Sequence, residues 1–178
     1  MTTPAETTSA AESGAPTSAV EQRLAELGLT LPEVAAPVAA YVPAVVSGSY
    51  VYTSGQLPFI NGKLEATGKV STGELGTSDE PTVDPEDAKR YAAVCAINAL
   101  AAVKSVIGDL DRVTRIVKVV GFVSSDPTFT GQPGVINGAS ELLGQVFGDA
   151  GIHARSAVGV AVLPLDSPVE VELIAEFS

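Results

Sequence analysis

The run VTRIVKVVGFV, Val113 to Val123, constrains this chain most. It is β-branched almost throughout, and Arg115 and Lys118 do not interrupt it, so it reads as one long, mostly buried strand. Such a strand needs neighbours along both edges and a layer packed against it. The flanking sequence supplies both. Upstream, Asp84-Pro85-Glu86-Asp87 is a strong helix start: a capping Asp, Pro at the first helical position, and acids beside the positive end of the helix dipole. The helix it opens is expected to run to Gly108, with Ala88, Tyr91, Cys95, Leu100, Val103 and Ile107 as its buried stripe. Downstream, Ser125-Asp126-Pro127 turns the chain into a second helix from Gly134 to Phe147, ended by Gly148.

The remaining strands follow from alternation and turn residues. Tyr41 to Val46 and Tyr50 to Gln56 are separated by Ser47-Gly48-Ser49, a hairpin spacing. Ser156 to Leu163 and Val169 to Phe177 flank Pro164-Leu165-Asp166-Ser167-Pro168. After a leading helix at 18–28, which Ser18 and Glu21 open as a capping box, the order is β-β-α-β-α-β-β. That is an α+β domain, a mixed sheet with both long helices packed on one face. No further helix is available to cover the other face, so self-association through it is expected. Residues 1–17 lack large apolar groups and read as a disordered tail. Residues 18–178 read as a single domain, with 61–83, rich in Gly, Thr and charge, as a long loop or insertion.

Composition narrows function. A net charge of -11 opposes binding to a phosphate backbone. One Cys and one His exclude an intramolecular disulfide and a Cys/His zinc site, so metal-independent chemistry is expected; Cys95, on the buried stripe of its helix, reads as a core thiol. With neither an uncharged run of membrane-spanning length nor a secretory signal, the expected location is the cytoplasm.

One side chain stands apart. Beyond Lys118 the only Lys or Arg is Arg155, against seven carboxylates. Its neighbours on the same side of the strand, Ala157, Gly159 and Ala161, are small and would leave a cavity beside the guanidinium. Arg155 therefore suits bidentate capture of a carboxylate, or else a structural ion pair with Glu172 or Glu176. On the last strand Val169, Val171, Leu173, Ala175 and Phe177 share one face, and Glu170, Glu172 and Glu176 the other. An acid beside a desolvated pocket could polarise water. Gly55, in Thr53-Ser54-Gly55-Gln56, lets backbone approach a ligand or simply ends a strand. Asn137 is an ordinary helix polar residue or a site residue. His153 has no nucleophile suggested by a motif and reads as a loop residue near the site. Gly121, Gly131 and Gly134 lack phosphate-loop spacing.

Three blocks, YVPAVVSGSYVYTSGQLP at 41–58, VKVVGFVSSDPTF at 117–129 and HARSAVGVAVLPLDSPVEVE at 153–172, together resemble the RidA (YjgF) family of reactive-intermediate imine/enamine deaminases. The resemblance implies a chorismate-mutase-like homotrimer with sites between subunits. It also implies cofactor-free hydrolysis of enamines and imines such as 2-aminoacrylate to a 2-keto acid and ammonia. By position, Arg155 would bind the substrate carboxylate and Glu170 would orient the attacking water. Backbone near Gly55 and Ala157 would contact the ligand, and Tyr41, Ser54 and Asn137 would line the cleft. The family often has Cys at Ala157 and an acid at Gly159, so a roomier, less polar pocket is expected; the 61–83 insertion and Asn-Gly-Ala-Ser at 137–140 suggest a divergent branch of it. A noncatalytic binder of small carboxylates is the alternative reading, and an endoribonuclease a third.

Overall fold

The computed structural model describes residues 18–34, 40–73 and 82–178; the tail expected at 1–17 lies outside them. The architecture is α+β as expected, built on a five-stranded mixed sheet. Helix α1 is Ala19–Glu26, and the hairpin is β1 (Ala44–Ser47) and β2 (Tyr50–Thr53). Four two-residue strands follow: β3 (Phe59–Ile60), β4 (Lys63–Leu64), β5 (Lys69–Val70) and β6 (Thr82–Val83). Then come α2 (Pro85–Ile107), β7 (Val113–Ser124), α3 (Gln132–Phe147), β8 (Ala154–Val160) and β9 (Val169–Phe177).

The order across the sheet is β1-β2-β9-β7-β8. Within this sheet only β7 and β8 run parallel; its other three pairs are antiparallel. The long strand β7 is thus interior, beside the edge strand β8, and β8 and β9 are not hairpin partners but lie on opposite sides of it. Both α2 and α3 cover one face, where Val51, Val119, Val123, Val169, Val171, Leu173 and Ala175 are fully buried or nearly so. Among the described residues nothing covers the other face, where Val45, Tyr52 and Val158 are each at least 40 % exposed. By length and composition α2 could cross a membrane, but its apolar side chains are spent on the core: Ala88, Cys95, Leu100 and Val103 have no exposure.

Local sequence explains the element ends. Asp84 accepts from the Glu86 N–H at 2.8 Å, with Pro85 at the first helical position. Gly108 closes α2 at φ 85°. Ser18 caps α1 by accepting from the Glu21 N–H at 3.0 Å, yet the reciprocal half of the capping box does not form, because the Glu21 carboxylate pairs with Lys104. The orphan N–H groups of Ala19 and Val20 are taken instead by Asp111, whose two carboxylate oxygens accept them at 2.8 Å each. Those bonds hold the Asp111 carboxyl below its ordinary pKa.

Several boundaries differ from expectation. Tyr41 precedes β1, which begins at Ala44. Helix α3 begins at Gln132, with Pro133 in its first turn, rather than at Gly134. Strand β8 begins at Ala154, so Arg155 lies inside it. Residues 61–83 contain more pairing than a loop: Asn61 and Gly62, both at positive φ, turn β3 into β4, and β5 pairs in parallel with β6. Asn-Gly is the dipeptide that such a two-residue turn requires.

Candidate functional site

The strand register decides which residues can meet. Arg155 is level with Val119, which is level with Leu173. Both are buried beneath the helices, so Arg155 projects on the helix side of the sheet, as residues on one rung share a face. Glu170 is level with Phe122, which is level with Val158, and projects from the uncovered face. The two are three rungs and two strand spacings apart, about 10 Å in each direction, on opposite faces. One protomer does not bring them together.

On the helix side, Arg155 is half-buried against α3. Its Nη1 donates to Asn137 Oδ1 at 2.8 Å and to Ser140 Oγ at 3.1 Å. The small residues of β8 were expected to leave a cavity here; Gln132, at the start of α3, lies over part of that space, while Gly159 and Ala161 stay exposed. Ala157 packs on the core, and a Cβ on Gly159 would meet Gln132 Nε2 at 2.8 Å and Ser125 Oγ at 2.9 Å. The surroundings of Gly159 are therefore polar, and a side chain there would have to displace Gln132. The Gln132 amide is bonded to Ser125 and Phe129. The ion-pair alternative for Arg155 also fails. Glu172 and Glu176 leave β9 on the other face, and no carboxylate among the described residues lies within salt-bridge distance of the guanidinium.

A second cluster forms at the β2 end of the sheet. Ser54 Oγ donates to the Val42 carbonyl at 2.7 Å, and the Ser54 N–H donates to the Pro43 carbonyl at 2.8 Å. This pins the segment carrying Tyr41, itself 56 % exposed. Gln56 and Val171 exchange backbone hydrogen bonds, which bring Gly55 against Glu170. A Cβ on Gly55 would fall 2.6 Å from Glu170 Cδ. The Glu170 carboxylate has no hydrogen-bond or ion-pair partner among the described residues. Burial and the neighbouring Glu172 raise its pKa. Cys95 is a buried thiol whose pKa burial raises well above its ordinary value, with the Glu170 charge adding to the effect; it is correspondingly unreactive.

The residues expected to act thus fall into two groups: Asn137, Arg155 and Ala157 on one, Tyr41, Ser54, Gly55 and Glu170 on the other. Ser140 and Gln132 were not anticipated. Ser140 lies one turn after Asn137, on the same helical face, and that spacing was the available signal. A cavity of about 440 Å³ lies elsewhere, between α1 and the end of α3, lined by Arg23, Asp111, Val146 and Phe147 among others, and holds none of these residues.

Comparison with known proteins is consistent with this architecture. Residues 21–177 match the family model described as "YjgF/chorismate mutase-like, putative endoribonuclease". Protein TCP17 of Trypanosoma cruzi is 43 % identical over 160 residues, spanning 89 % of this chain and 94 % of that protein. The crystal structure of Atu1372 from Agrobacterium tumefaciens, a protein of unknown function, shares 48 % identity with a TM-score of 0.79, over 89 % of this chain and 92 % of its own. Escherichia coli TdcF, solved with bound serine, shares 28 % identity with a TM-score of 0.50, over 83 % and 93 % of the two chains.

Proposed function

This chain belongs to the YjgF/chorismate-mutase-like (RidA) family, and from that premise we propose that it hydrolyses enamine and imine intermediates of the 2-aminoacrylate type. The products are a 2-keto acid and ammonia. The observation that carries the reading is Arg155: a half-buried guanidinium with Nη1 anchored to Asn137 and Ser140, and no carboxylate within reach among the described residues. A guanidinium so placed suits a ligand carboxylate.

The chemistry asks little more. The enamine takes a proton at its terminal carbon to become an iminium ion. Water adds to the iminium carbon, losing a proton as the C–O bond forms. The resulting carbinolamine takes that proton on its nitrogen and expels ammonia as the C–N bond breaks, and its hydroxyl releases a proton as the carbonyl forms, replacing the one first taken up. Glu170, half-buried, without a hydrogen-bond partner among the described residues and with a raised pKa, suits a group that takes the proton from water and returns it to nitrogen. No step needs a cofactor.

Arg155 and Glu170 leave opposite faces of one sheet, so a common site needs two copies of the chain. We therefore place the reaction in clefts between subunits of a homotrimer, Arg155 contributed by one subunit and Glu170 by the next. The exposed Val45, Tyr52 and Val158 on the uncovered face support such an assembly. Light scattering at micromolar concentration should give three times the chain mass; a stable monomer overturns the assembly.

The activity test is keto-acid release from enzymatically generated 2-aminoacrylate or 2-iminobutyrate. Acceleration over buffer is expected, and none at high protein overturns the proposal. The serine bound in TdcF favours a second reading, a noncatalytic binder of small carboxylates. Loss of ligand binding in Arg155→Ala, with every activity intact in Glu170→Ala, would select it. The endoribonuclease reading carries a cost in charge, since a net -11 repels RNA; a salt-dependent RNA-binding assay tests it.

A further inference from the structure

Arg155 is the first member of a hydrogen-bonded series. Its Nη1 reaches Asn137 Oδ1 and Ser140 Oγ at 2.8 and 3.1 Å. Ser140 Oγ lies 3.0 Å from Nε2 of His153, and His153 Nδ1 lies 2.6 Å from the Gly151 carbonyl oxygen. His153 is the chain's single imidazole.

The direction of each bond follows from what its atoms can do. A carbonyl oxygen only accepts, so Nδ1 carries hydrogen. In the neutral ring Nε2 then offers a lone pair, and the Ser140 hydroxyl is the donor in reach. With its one proton committed to His153, the Ser140 oxygen turns its own lone pairs to Arg155. Asn137 Oδ1 accepts the second hydrogen of Nη1. Both hydrogens on Nη1 are used, whereas Nε and Nη2 make no hydrogen bond to any described residue. The guanidinium is left with one unoccupied edge.

We propose that His153, acting through Ser140, is a positioning residue that fixes Nη1 of Arg155 and so presents the Nε–Nη2 edge, side-on, to the ligand carboxylate. This rests on the reading of Arg155 as a carboxylate clamp. The role differs from that of a base: His153 moves no proton in the reaction, and its ring reaches Arg155 only through the serine. Gly151, buried in the turn between α3 and β8, sets the ring orientation. Its own position is crowded, a Cβ there falling 2.8 Å from the Leu143 carbonyl carbon.

Calorimetric titration of the full chain at pH 8, with L-serine as probe and L-serinamide as the ligand lacking a carboxylate, tests this. His153→Phe and Ser140→Ala should each weaken L-serine binding about tenfold. The double variant should bind no more weakly than the worse single, because the two act in series. Ser140→Thr, which keeps the hydroxyl, should bind within about threefold of wild type. L-serinamide affinity should not change, which separates loss of positioning from general loosening. If wild type binds L-serine and Arg155→Ala does not, but His153→Phe and Ser140→Ala bind as wild type does, the positioning role is overturned and the clamp stands. Equal weakening toward L-serine and L-serinamide overturns it as well. If wild type binds no L-serine, the clamp and the positioning role fall together. Should His153→Phe not fold, Ser140→Ala and Ser140→Thr decide the matter alone.

Discussion

Gly55 and Glu170 divide one space between them: the volume a side chain at position 55 would fill is taken by the Glu170 carboxyl, whose Cδ lies 2.6 Å from where that Cβ would be. The obstructing group is the far end of a flexible side chain, not backbone. Gly55→Ala should therefore fold normally, with a melting temperature within a few degrees of wild type, because Glu170 swings aside. Keto-acid release should fall at least about tenfold, the acid having left its place. Thermal unfolding and the hydrolysis assay on one preparation check both halves.

Glu170 itself should trade stability for activity. Its pKa is raised in the fold, by burial first and by Glu172 second. A raised carboxyl pKa means the folded state holds its proton more tightly than the unfolded chain. The stabilising contribution is full below the ordinary glutamate value and is lost as pH rises through the folded value. At pH 7 the ionised group is a net cost, small because the side chain is half-exposed and screened. Glu170→Gln should be more stable than wild type at pH 7, by under about 1 kcal/mol, and the gap should close near pH 4. Urea midpoints at the two pH values measure it. The same substitution should remove hydrolysis, and the wild-type rate should fall on the acid side with a midpoint above that of an ordinary glutamate.

The contact between α2 and α3 should tolerate no added carbon at its tightest point. A Cβ on Gly138 would run into the Lys89 carbonyl group, 2.8 Å from its carbon, and a helical carbonyl cannot move aside cheaply. Gly138→Ala should cost about 1–3 kcal/mol. Gly144, on the same helix with nothing within 4 Å of its Cβ position, is the control: Gly144→Ala should stabilise by about 0.5–1 kcal/mol. Denaturant unfolding of the pair checks the contrast.

Local chemistry made the long elements legible. The Asp84-Pro85 start of α2 and the β-branched run of β7 each declare themselves within a few residues, and they appear where expected. The alternation in β9 correctly separated its buried valines from its glutamates. Period-two patterning assigns a residue to a face but does not say which face the helices cover, nor which strand lies beside which. That is why Arg155 could be read as a partner of Glu172 or Glu176, although β7 lies between their strands. The four short strands were missed for a related reason: two residues are too few for a period, and the Asn61-Gly62 turn was their one local sign. Gln132 became visible only once Gly159 was seen to make room for it.

The place of β9 beside β2 has a consequence for the order of events in synthesis. The hairpin β1–β2 is complete early, yet its inner edge pairs with β9, through Tyr50 and Glu176, Val51 and Ala175, and Tyr52 and Ile174. β7 likewise pairs with β9 along its length. Until Val169–Phe177 have left the ribosome, both β2 and β7 expose an open edge, and the two halves of the sheet have no common member. The nascent chain must hold those edges apart from other chains until β9 emerges, and only then can the two halves of the sheet join.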